Sequence, residues 1–86
     1  MRITRKEFAA WLAKNQRKPF YKADPCWCAL ARYLTEKSGA QAHVLSPDAY
    51  GDDWELTLPR WATEFVDKFD ALPGESVSGK RALALL

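Results

Sequence analysis

The sequence predicts an α+β fold, about four helices packed around a two-stranded antiparallel hairpin, in a single domain covering residues 1–86. Three observations predict it. Apolar residues recur at helical spacing in three stretches, around Phe8-Trp11-Leu12, Leu30-Tyr33-Leu34 and Trp61-Phe65-Phe69. Between the second and third stretches the period drops to two, with Trp54, Leu56 and Leu58 alternating with Glu55 and Thr57. A chain of 86 residues with 48% hydrophobic content and four tryptophans has enough apolar volume for one core without disulfides.

The first helix is expected over residues 5–14. Thr4 and Glu7 have capping-box spacing, in which each side chain satisfies the other residue's backbone N–H, and Ile3 and Phe8 flank the cap as a hydrophobic staple. Asn15 ends this helix. Residues 15–23 lack a period and Pro19 keeps Lys18 out of helical geometry, which predicts a basic, aromatic connecting loop. Asp24-Pro25 reads as the N-cap and first-turn proline of a second helix. Its broad apolar face is expected to hold Cys26, Trp27, Leu30, Ala31, Tyr33 and Leu34, with Arg32 and Glu36 outward. Ser38-Gly39 stops it, glycine being free to turn left-handed.

The hairpin is expected to pair Ala42–Leu45 with Trp54–Leu58, through the turn-prone Ser46-Pro47-Asp48 and a long acidic connection, Tyr50-Gly51-Asp52-Asp53. Pro59 opens a third helix with Trp61, Ala62, Phe65, Val66 and Phe69 on one face, and Leu72-Pro73-Gly74 breaks it. Ser78 caps a short terminal helix that turns Ala82, Leu83, Leu85 and Leu86 inward.

No apolar run approaches the roughly 18–20 residues of a membrane span, and Met1–Lys6 leads into an amphipathic stretch, so the expectation is a cytoplasmic protein that does not enter membranes. In that compartment Cys26 and Cys28 are free thiols. The single histidine, and the lack of a Gly-rich phosphate loop or nucleophile-elbow motif, argue against an enzyme and predict no cofactor. Cys28 with His43 is a weak nucleophile pair, because no local pattern supports it. Zinc held by Cys26, Cys28, His43 and Asp24 is disfavoured too, since residues two apart on a helix point about 200° apart. The simpler reading is thiols that pack as small hydrophobes, with no metal.

Charge is divided along the chain. Residues 1–37 carry nine basic and three acidic side chains, a balance of +6, whereas residues 38–86 carry four basic and eight acidic, a balance of −4. The acidic candidates for partner binding are Asp48, Asp52, Asp53 and Glu55 on the hairpin and Glu64, Asp67 and Asp70 on the third helix. They could dock on a basic protein surface, including one that normally binds nucleic acid. Against this, Arg60, Glu64 and Lys68 form ordinary i, i+4 pairs of a solvated helix. The alternative is a small nucleic-acid-binding protein that uses the basic aromatic loop, through Lys14, Arg17, Lys18, Phe20, Tyr21 and Lys22. A homodimer is a third possibility; the sequence leaves the oligomeric state open.

Two stretches, Cys28-Ala29-Leu30-Ala31-Arg32-Tyr33-Leu34 and Leu58-Pro59-Arg60-Trp61-Ala62-Thr63-Glu64-Phe65-Val66-Asp67, carry a resemblance together with Val77-Ser78 and Ala82-Leu83-Ala84-Leu85-Leu86. Over roughly residues 26–86 the chain resembles small accessory proteins of phages, prophages and bacterial mobile elements. The shared residues are mainly packing residues, so the resemblance bears more on fold than on function. It implies a phage accessory protein of the anti-CRISPR kind, which acts by binding a host effector subunit and occluding its surface. No functional residue is transferred from it.

Overall fold

The computed structural model describes residues 1–22 and 24–86. Its elements run α1 (Arg5–Lys14), β1 (Pro19–Tyr21), α2 (Ala29–Ser38), β2 (His43–Leu45), β3 (Asp48–Tyr50), β4 (Glu55–Thr57), α3 (Arg60–Ala71), β5 (Ser76–Ser78) and α4 (Gly79–Leu83). Among the described residues four helices enclose one core, as the sequence predicts, but the strands form two antiparallel sheets instead of one hairpin: a meander β2-β3-β4 and a separate pair β1-β5. Among the described residues no helix is long and apolar enough to cross a membrane.

The core gathers around Phe8 on α1. Its fully buried ring meets Phe65 edge-on with centroids 4.9 Å apart, Tyr33 at 5.1 Å, Trp61 at 5.8 Å and Trp11 at 6.2 Å, so α1, α2 and α3 converge on one aromatic cluster. Thr4 Oγ1 accepts from the Glu7 N–H at 3.1 Å and starts α1, which is one half of the expected capping box; the Glu7 side chain turns to α2 instead. The Glu7 carboxylate accepts from Lys37 Nζ on α2 at 2.9 Å, and Trp11 Nε1 donates to Glu36 Oε2 at 2.9 Å. Both bonds tie α1 to α2 along their solvent side.

The second helix begins four residues later than its sequence suggests. Asp24 does make a cap-like turn, with Oδ1 accepting from the N–H groups of Cys26 (2.9 Å) and Trp27 (3.1 Å). A helix continuing from that turn would need the carbonyls of Pro25 and Trp27 for Ala29 and Ala31. Both are taken elsewhere, Pro25 by the Val44 N–H (2.8 Å) and Trp27 by the Tyr21 N–H (3.1 Å). Cys28 stays extended and helix geometry starts at Ala29. Cys26 and Trp27 therefore leave the expected core face: Trp27 is 49% exposed, with the Arg32 guanidinium 4.8 Å from its ring centroid. Gly39 closes α2 in the left-handed conformation (φ 82°), as expected.

The meander corrects the two-stranded hairpin. Asp48-Ala49-Tyr50, read as part of the connection, is the central strand, and Val44, Ala49 and Leu56 lie in one cross-strand row beneath it. That row faces inward, with Val44 and Ala49 buried and Leu56 packed against the core. The outer face shows two rows, His43-Tyr50-Glu55 and Leu45-Asp48-Thr57. The second correction is β1-β5. Residues 19–21, expected as loop, pair with residues 76–78, and the inward residues of this pair, Phe20 and Val77, are buried.

Candidate functional site

The sheet and helix edges leave an open hollow of about 330 Å³ between the Asp24 turn, the end of β2 and α3. Its floor is apolar, formed by Leu30, Val44, Phe65 and Phe69 with the buried thiol of Cys28. Its wall includes three carboxylates: Asp67 and Asp70, one helical turn apart on α3, and Asp24 across from them. One oxygen of Asp24 is committed to the backbone turn described above. Leu45 and Ser46 also line the hollow.

Leu45, 55% exposed, also lines a second hollow of about 510 Å³ on the meander, bounded by Asp48, Tyr50, Glu55, Leu56 and Thr57. The two hollows thus meet at an exposed leucine flanked by acidic side chains. A guanidinium or ammonium group on an aliphatic stem is complementary to such a surface. The stem covers the apolar floor while the head stays at the carboxylate rim.

The structure sorts the acidic residues singled out from sequence. Asp67 and Asp70 join the first hollow, and Asp48 and Glu55 the second. Asp52 and Asp53 are exposed on the β3–β4 turn and line neither. Glu64 accepts from Arg60 Nε at 2.9 Å, the i, i+4 pair expected of a solvated helix. Asp24, read from the sequence as a helix cap, is the acidic member that pattern alone did not place at this surface. Its only signal was the cap itself.

The basic candidates are sorted as sharply. Lys14, Arg17 and Lys18 are exposed, and Tyr21 is 48% exposed. Phe20 is only 2% exposed, its ring 5.5 Å from that of Trp11, so it belongs to the core and is not available to stack on a base. Lys22 Nζ donates to the carbonyl of Leu72, which ties β1 to the end of α3.

Cys28 and His43 are separated in role. Burial, reinforced by the negative charges of Asp70 and Asp24, pushes the Cys28 thiol up to about 11, the opposite of what a nucleophile requires. His43 lies on the meander's outer face, its ring parallel to Tyr50 at 4.9 Å. The described residues contain no group of three His, Cys, Asp or Glu side chains placed to hold a metal ion.

No family model, no curated protein and no solved structure matches this chain.

Proposed function

We propose that this protein is a non-catalytic binding module whose acidic surface docks a basic protein partner. The observation that carries the reading is the pair of adjoining hollows, the first with an apolar floor, and the carboxylates of Asp24, Asp67, Asp70, Asp48 and Glu55 around the exposed Leu45. Apolar floor and acidic rim together select Lys or Arg side chains of a folded or extended partner more strongly than either alone. The resemblance to phage accessory proteins supplies the partner's proposed identity: a nucleic-acid-binding surface of a host complex, of the kind that anti-CRISPR proteins occlude in a CRISPR effector.

The test compares tagged wild type with D48K/D67K and D52K/D53K for capture of proteins from nuclease-treated bacterial lysate. All four positions are exposed, so the variants should keep the wild-type circular dichroism spectrum and melting behaviour. The expected result is a stoichiometric basic partner that D48K/D67K loses and that D52K/D53K, altered outside the hollows, retains at least in part. A partner held equally by all three proteins would place the interface elsewhere and overturn the reading.

A further inference from the structure

Folding also assembles a cationic patch from two segments far apart in the chain. The β1-β5 ladder runs on at one end into two further backbone bonds, Gly79 N–H to Lys18 O and Lys80 N–H to Gln16 O, both 3.0 Å. These bonds set the first turn of α4 against the residues that follow α1. Lys80 and Arg81 therefore stand beside Arg17 and Lys18, with Lys14 at the end of α1. All five side chains belong to exposed residues, and segments 14–22 and 76–86 contain no Asp or Glu.

An aromatic shelf continues this patch at the other end of β1. The Tyr21 N–H donates to the Trp27 carbonyl at 3.1 Å, which brings together two aromatic residues that are each about half exposed. Arg32 lies over the Trp27 ring. Phosphates need several cations at spacings along a strand, and unpaired bases need open π-faces beside them. Lys14, Arg17, Lys18, Lys80 and Arg81 supply the first requirement, and Tyr21, with the part of Trp27 that Arg32 leaves exposed, the second.

We propose that this surface binds single-stranded nucleic acid, with phosphates on the five-cation patch and bases against Tyr21 and Trp27. Lys80 and Arg81 enter the site only through the β1-β5 pairing, and Phe20 and Lys22 drop out of it. Base stacking favours an unpaired strand over a duplex, in which the π-faces are already covered.

The experiment is fluorescence anisotropy of a labelled 20-nucleotide dT strand, and of a 20-base-pair duplex, titrated with the intact protein between 50 and 300 mM KCl. Wild type is expected to bind the single strand more tightly than the duplex and to lose affinity steeply with salt. K80E/R81E should weaken single-strand binding at least about tenfold, and the log–log salt slope should fall by about 1.4, or roughly 0.7 for each phosphate that is no longer neutralised. Tyr21→Ala should weaken binding about fivefold or more while leaving the salt slope unchanged, the signature of lost stacking. R17E/K18E serves as a second charge variant should K80E/R81E melt early. Unaltered binding in both charge variants, equal or tighter binding of the duplex, or no wild-type binding at 50 mM KCl would each overturn the proposal.

Discussion

Gly79→Ala should be among the most damaging single-methyl additions available in this chain. A Cβ on Gly79 would sit 2.1 Å from the Asn15 carbonyl oxygen, 2.8 Å from its carbon and 3.1 Å from Gln16 Cα, all backbone atoms at the exit of α1. Relief requires at least about 1.3 Å of separation to reach ordinary van der Waals distance. The two backbone bonds that cross this seam, Gly79 to Lys18 and Lys80 to Gln16, must stretch or break to allow it. Two lost bonds at about 1 kcal/mol each and overpacking of about 1–3 kcal/mol outweigh the roughly 0.4–1 kcal/mol that alanine recovers by restricting the unfolded chain. A net loss of about 2–4 kcal/mol follows. Gly39→Ala is the internal comparison: it has open space around the added methyl and only a left-handed φ of 82° to strain, for about 1–2 kcal/mol. Urea unfolding followed by tryptophan fluorescence measures both variants. A Gly79→Ala midpoint at or above that of Gly39→Ala would refute the close-approach argument.

Phe8→Ala removes the ring shared by three helices and should cost about 3–5 kcal/mol, enough to leave the chain largely unfolded at 37 °C by circular dichroism. At pH 8 iodoacetamide should alkylate Cys26 in the native protein and spare Cys28, whose buried thiol stays protonated until about pH 11; peptide mass spectrometry showing equal modification would contradict this. Because the folded state raises the Cys28 pKa, its contribution is complete below the unfolded value near 9 and is lost as pH rises toward 11. Wild type should therefore lose stability relative to Cys28→Ala over that window, by about 2–3 kcal/mol in urea titrations. Lys37 holds the Glu7 carboxyl below its usual range through a hydrogen bond and its charge. A carbon-detected NMR titration should show Glu7 moving back up in Lys37→Gln.

The helices were legible because several independent signals coincide in each. Thr4 caps, Phe8, Trp11 and Leu12 set the period, and Asn15 terminates; Pro59 and the Trp61-Phe65-Phe69 stripe do the same for α3. The strands were not, because three residues give period-2 alternation almost no chance to show. Asp48-Ala49-Tyr50 has one inward residue, an alanine with little preference for strands, and Pro19-Phe20-Tyr21 is recognisable only once Ser76-Val77-Ser78 lies beside it. The late start of α2 was equally hidden. It depends on Val44 and Tyr21 claiming carbonyls that a helix would use, a competition between segments up to 19 residues apart. Within the candidate acidic surface, Asp67 and Asp70 were readable as one helical stripe, whereas Asp24 reached it only through the turn that replaces the first part of the expected helix.

Folding changes the meaning of the charge asymmetry. By sequence the chain has a basic first part and an acidic remainder, yet Asp24 from the first joins Asp67 and Asp70, and Lys80 and Arg81 from the second join Arg17 and Lys18. Each exchange moves a residue out of the segment of opposite sign and next to residues of its own sign. The net charge of +2 conceals this grouping. Salt alone cannot distinguish the two surfaces, since screening weakens the docking of a basic protein and of a nucleic acid in the same direction. Charge reversal can distinguish them: D48K/D67K acts only on the acidic hollows, K80E/R81E only on the cationic patch. Loss of a given partner in one variant and its retention in the other assigns that partner to a surface.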